Sequence, residues 1–263
     1  MREKTEEKQI PARTTEDVQS GRKSEGIISE LFKVGAHFGF VKSRRHPSAK
    51  SFIFGSKNDI EIFDLEKTSV ELSKALEFVE KKGEEGAIML FVGGKNEARM
   101  AVTRAGQILS MPYVAGRWIG GTLTNFPEIK KRIARLDELT GQKERGELGK
   151  YTKKERLLID RDIERLNHFF GGLTILKSIP KVMVVIDPKK EQIAVAEAHK
   201  LHIPIVALAG SDSNLHDVEY AIPANDSSRQ SIELVLEKIA SAYKTGLETG
   251  KKKDVTEVTI INN

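Results

Sequence analysis

The chain has no cysteine. That absence excludes disulfides, thiolate zinc sites and thiol nucleophiles, and it fits a reducing cytoplasm. Aromatic residues are scarce at 6%, and Trp118 is the single tryptophan. No apolar run approaches the roughly 20 residues that a membrane span needs. The opening stretch, MREKTEEKQIPARTTEDVQSGRKS, lacks the apolar segment of a signal peptide. Its acids argue against an organellar transit peptide. Hydrophobic residues reach only 39%, against 31% charged, so part of the chain is charged surface, tail or projecting helix.

Positive charge, by contrast, is in surplus. The net charge is +5 and the pI about 9.2. That balance favours an anionic partner, nucleic acid first, without establishing one. At 263 residues, one core with additions is the expected organisation.

Residues 1–24 are polar and mixed in charge, which predicts a disordered extension. Beyond Tyr243 the apolar periodicity fades, which predicts a flexible tail over 247–263. Between them strands and helices alternate. SFIFG and DIEIFDL read as two strands around a turn at Ser56 to Asp59. AIMLFVG, KVMVVIDP and IPIVALAG are apolar throughout, PYVAG and AIPAND are shorter, and helical patterns lie between them. Strands apolar on both faces, each followed by a helix, predict a mainly parallel sheet in a three-layer α/β/α sandwich. The core is expected over 25–126 and 174–246.

Residues 127–173 break the alternation. Ile129, Ile133 and Leu136 share one helical face; Leu158 or Ile159, Ile163, Leu166 and Phe170 share another. Thr152 and Glu155 have capping-box spacing. Two narrow apolar stripes surrounded by charge predict an inserted antiparallel helical hairpin, a coiled coil standing off the domain.

Several motifs invite a ligand. In FVGGKNEARM a strand runs through glycines into a helix, a geometry that binds phosphate. The Walker spacing fails, with Met89 and Asn96 in the required positions, and so does the dinucleotide spacing, with Lys95 and Ala98. A packing turn and a backbone anion site with Lys95 both remain open. Asp187 either ends its strand and caps the next helix or holds a metal or ribose. His199 and His202 lie near a helix end, but two ligands do not make a metal site. No Ser/His/Asp order stands out. GRWIGGTLTNF carries glycines beside Arg117 but fits no nucleotide-loop spacing. It reads as a structural joint: Trp118 anchors it, Gly120 and Gly121 bend it, and Thr124 or Asn125 caps the next helix.

The basic residues are better organised. From Gly35 to Lys57 there is no acid, and Lys42, Arg44, Arg45, Lys50 and Lys57 alternate with phenylalanines. An acid-free basic run with aromatic anchors suits a phosphate backbone, RNA above all. The alternative is a solvated loop over strand-core phenylalanines. Arg99, Arg104 and Arg117 are secondary phosphate candidates.

Three stretches carry a resemblance. VGAHFGFVKSRRHPSAKSFIFGSKNDIEIFDLEKT, GRWIGGTLTNF, and PKVMVVIDPKKEQIAVAEAHKLHIPIVAL followed by IPANDSSRQSI resemble, in order, the signatures of the bacterial ribosomal protein S-two family. The resemblance spans roughly 25–245. It implies a flavodoxin-like core, a coiled-coil insertion and a structural, non-enzymatic role in the small ribosomal subunit, without an organic cofactor. It also implies partners: small-subunit ribosomal RNA, neighbouring ribosomal proteins and, in many bacteria, ribosomal protein S-one. DNA and membranes are not among them. The motif positions are Gly35, His37, Phe38, Gly39, Pro47 and Lys50 in the first signature. In the second they are Arg117, Trp118, Gly120, Gly121, Leu123, Thr124 and Asn125. Phe40 stands where the family often has histidine, and His46 where it often has asparagine. GSDSNLHD departs from the family's loop, and Pro-Ala-Asn-Asp replaces Pro-Gly-Asn-Asp. Two rival readings differ in class: a nucleotide or sugar-phosphate enzyme on the same fold, and a free RNA-binding regulator.

Overall fold

The computed structural model describes residues 26–261, with side chains described as far as residue 251. The expected N-terminal extension and the last residues of the expected tail lie outside that range.

Three apolar segments become fully buried strands: β4 (Met89–Val92), β6 (Val182–Ile186) and β7 (Ile205–Ala209). With β5 (Tyr113–Val114) and β8 (Tyr220–Pro223) they form a parallel five-stranded sheet in the order β5-β4-β6-β7-β8. Counted within this sheet, that is the flavodoxin-like order 2-1-3-4-5, with its switch point between β4 and β6. The strand period of two divides the core cleanly. Met89, Phe91, Val184 and Leu208 enter one buried cluster; Leu90, Val92, Val185 and Ala207 enter the other.

The first cluster is covered by α1 (26–33), α2 (Leu65–Glu84), α3 (Asn96–Leu109) and α7 (Arg229–Ile261). Helix α2 starts at Asp64, whose side chain accepts from the amide of Glu66 at 3.1 Å. It buries Leu65, Leu72, Ala75 and Val79 along one stripe. Helix α7 continues past residue 246, where the fading periodicity predicts a tail. The reason is small-residue packing: a Cβ on Gly246 or Gly250 would overlap the α2 carbonyls of Glu80 and Glu84. Tyr243, Gly246 and Gly250 thus continue the helical stripe, but two of them are glycines and leave no apolar signal.

The second cluster is covered by α6 (Gln192–Lys200), the 116–126 segment, α4 (Phe126–Glu144) and α5 (Lys153–Phe170). Helix α5 opens with the expected capping box: Thr152 Oγ1 accepts from the Glu155 amide, and Glu155 accepts from the Thr152 amide at 2.9 Å. The pair α4 and α5 is joined across its outer part by Lys143 and Asp160, 2.7 Å apart. Ile129, Ile133, Leu136 and Leu139 of α4, with Leu166 and Phe170 of α5, belong to the same buried cluster as this sheet face. Their stripes therefore extend the core layer as well as facing each other.

A second, antiparallel sheet has the order β1-β3-β2, from β1 (Phe38–Val41), β2 (Ile53–Lys57) and β3 (Ile60–Phe63). The β2–β3 turn falls at the expected place, with Asn58 and Asp59 at positive φ. β1 replaces what reads from sequence as loop. Its two glycine-flanked phenylalanines give a weak strand pattern until β3 supplies hydrogen-bonding partners.

Candidate nucleic-acid interface

The glycine-rich stretch at 116–126 does cradle an anion, and that anion is the protein's own. Glu197 of α6 points into the loop and is only 6% exposed. Its Oε1 accepts from the Trp118 indole at 3.1 Å and the Gly121 amide at 2.7 Å. Its Oε2 accepts from the Leu123 amide at 2.9 Å, and from the Thr124 amide and hydroxyl at 3.1 and 3.2 Å. Successive amides turned inward make an anion-binding concavity. Burial alone would raise the Glu197 pKa; the donors from Thr124, Gly121, Leu123 and Trp118 outweigh it and hold the group below the usual carboxylate value.

The joint differs in detail from the expected one. The positive φ of 91° falls on Gly121, and Gly120 has an unstrained backbone with open space around it. Asn125 occupies the N-cap position of α4 without a side-chain cap bond. The Thr124 hydroxyl donates to Glu197 instead of capping α4. Arg117 beside Trp118 is exposed.

The crevice at the switch point is closed in the same manner. The Gly94 amide donates to Glu191 Oε1 at 3.0 Å. Lys95 Nζ lies 2.7 Å from Asp187 and 2.9 Å from Asp226. Burial would lower the Lys95 pKa, but the two carboxylates raise it. Burial pushes the Asp226 carboxyl up to about 6, against the pull of Lys95 and with help from Asp187. Asp187 also accepts from the Lys190 amide at 3.0 Å, so it caps the turn that follows its strand. The donors of a phosphate site are present here, and internal carboxylates occupy them. Among the described residues, no group of three or more His, Asp or Glu side chains is placed to hold a metal ion. His199 Nε2 donates to the Asp217 carbonyl at 2.7 Å. No described helix is long and apolar enough to cross a membrane.

The basic candidates divide into two groups. Three are engaged within the protein. Arg45 pairs at 2.9 Å with Glu61, which is 1% exposed. Arg104 pairs with Glu233 at 2.5 Å across α3 and α7. Arg44 lies over the Phe40 ring and 3.5 Å from Asp212, yet keeps most of its surface in solvent. The other five, Lys42, Lys50, Lys57, Arg99 and Arg117, are exposed, and none has a side-chain partner among the described residues. The structure does not bring all five together. Lys42 and Lys57 flank the β2–β3 turn, where the Lys42 amide bonds the Asp59 carbonyl. Lys50 sits in the 3-10 turn Pro47–Phe52. Arg99 lies apart on α3, lining a cavity with Tyr113, Gly116 and His168.

The arrangement is that of a packed scaffold carrying a basic arm. A family model described as Ribosomal protein S2 matches residues 31–246. The chain belongs to the ribosomal protein S2 family. The small ribosomal subunit protein uS2 of Geotalea uraniireducens is 40% identical over 228 residues, covering 87% of this chain and 88% of the relative. That of Dehalococcoides mccartyi is 40% identical over 231 residues, covering 88% and 93%. S2 proteins are structural, non-enzymatic components of the small ribosomal subunit.

Sequence reasoning missed Glu197, Glu191 and Lys189. Glu197 carried one usable signal. It lies among Ala194, Val195 and Ala198 on the buried face of α6, and a buried carboxylate requires donors.

Proposed function

We propose that this S2-family chain binds small-subunit ribosomal RNA through the arm at residues 42–57. What supports the reading is the set of unpaired, exposed cations Lys42, Lys50 and Lys57 on a stretch without a single acid. Arg44 completes the set, since its pairing with Asp212 is long and leaves it 58% exposed. The phenylalanines have separate jobs. Phe52 packs beside Ala49 and Leu215 and anchors the arm, whereas Phe54 is 80% exposed and free to stack on a base. Helices α4 and α5 act as a brace against RNA and protein neighbours. On the family resemblance those neighbours include ribosomal protein S-one in many bacteria. The place of action is the cytoplasmic ribosome.

The test is the salt dependence of binding to a small-subunit rRNA fragment. Converting Lys42, Lys50 and Lys57 together to alanine should reduce the log–log salt slope by about 2 to 3, at 0.7–0.9 per phosphate contact. Thermal stability should stay unchanged, because none of the three has a side-chain partner among the described residues. An unchanged slope would show that the arm is not the RNA contact.

A further inference from the structure

With the switch-point crevice closed, the next opening lies one strand along. A cavity of about 590 Å³ sits beyond the carboxyl ends of β6 and β7, where open α/β sheets hold ligands. One wall is a single stripe of α6 and the turn before it: Pro188, Gln192, Ala196 and His199. The facing wall is His46 and Asn214. We propose that this cavity receives one nucleotide extruded from RNA, a reading that rests on the RNA-binding role assigned above.

The lining has the chemistry of a base pocket. Pro188, Val195 and Ala196 give the cavity apolar lining, beside polar groups. The His46 ring accepts from the Ser48 amide through Nδ1, so its Nε2 carries the proton and remains a donor. His199 donates through Nε2 to the Asp217 carbonyl, so its Nδ1 remains an acceptor. Gln192 adds an amide, which has no partner among the described residues. Fixed donors and acceptors beside an apolar lining suit a planar heteroaromatic base.

The rim supplies the phosphate contact. Asp212 is 7% exposed and lies 2.9 Å from Lys189 and 3.5 Å from Arg44. One carboxylate thus holds two half-exposed cations beside the mouth and neutralises only one of them. Asp217, the other acid at the cavity, offers an acceptor to base amino groups. The acid-free arm reaches this rim directly, because the His46 amide bonds the Ser211 carbonyl at 2.8 Å.

The experiment titrates isotope-labelled full chain with the four ribonucleoside monophosphates and with homopolymeric ribotetranucleotides, followed by amide resonances. Shifts should centre on Gln192, Ala196 and Asn214. The best tetranucleotide should bind at least about tenfold more tightly than its mononucleotide, since stacking and flanking phosphates add to the base contact. Ala196→Trp fills the cavity and should weaken binding about tenfold, by the worth of one stacked base. If that variant fails to fold, Gln192→Ala should give a smaller loss at the same resonances. A mononucleotide that binds as tightly as the tetranucleotide makes the occupant a free nucleotide and overturns the RNA assignment. Wild-type chain that binds rRNA fragments without shifts at the cavity overturns the pocket and leaves the arm standing. A chain that binds no RNA at all overturns both.

Discussion

The loop at 116–126 and the arm at 42–57 look alike on paper: glycines or turn formers, aromatics and arginines. In the folded chain they are opposites. The loop turns its donors inward and spends them on Glu197, whereas the arm leaves Lys42, Lys50 and Lys57 in water without a side-chain partner among the described residues. A donor already satisfied contributes to stability and has little left for a ligand. A cation left unpaired contributes nothing to stability and is available for a phosphate. The same division separates Arg45, paired with buried Glu61, from Arg44 beside it.

The most severe way to break the comparison is Glu197→Ala. It strands the Trp118 indole, three backbone amides and the Thr124 hydroxyl, and the expected loss is about 3–5 kcal/mol by urea unfolding. RNA affinity per folded molecule should be unchanged. A stable Glu197→Ala variant with weakened RNA binding would make the loop part of the interface. Next comes Arg45→Ala, which leaves the buried Glu61 carboxylate unpaired. It should cost about 2–3 kcal/mol, whereas Arg44→Ala should stay within roughly 0.5 kcal/mol and reduce the salt slope instead. Equal stability losses for the two would remove the distinction between them.

A smaller effect is read as a slope. Asp226 has a folded pKa of about 6 against an ordinary 3.8. The folded state therefore binds this proton more tightly than the unfolded state. Its contribution to stability is fully present below about pH 4 and is lost as pH rises to about 6. The stability of wild type relative to Asp226→Asn should fall across that window and then level off. A difference that rises with pH instead would mean that Lys95 holds Asp226 ionised.

Much of the fold was legible because the strands are apolar on both faces and the helices carry simple stripes. β4, β6 and β7 lie where AIMLFVG, KVMVVIDP and IPIVALAG predict them. What escaped was built from pairs distant in sequence. Glu197 meets Trp118 across 79 residues, and Lys95 meets Asp226 across 131. Neither periodicity nor spacing reports such meetings. The fate of each basic residue escaped for the same reason: Arg44 and Arg45 are adjacent in sequence, and only the fold places Glu61 under one of them. The α7 extension escaped because glycine packing has no apolar signature.

The finest test asks what Trp118 contributes to the loop. Two roles are superposed in one side chain: a ring that is 5% exposed within the second buried cluster, and an N–H that donates to Glu197. Trp118→Phe keeps most of the ring and removes the donor. Four donors remain on the carboxylate, so the acid stays paired and the loss should be near 1 kcal/mol. Trp118→Ala removes the ring as well and should cost about 3–5 kcal/mol. If Phe is as damaging as Ala, the indole N–H holds the loop to α6, and packing follows from it. If Phe is neutral, the three backbone amides and the Thr124 hydroxyl suffice to keep Glu197 in place. In either case an unchanged salt slope for RNA binding keeps Trp118 on the closed side of the comparison, and a reduced slope would move it onto the open side, beside the exposed Arg117.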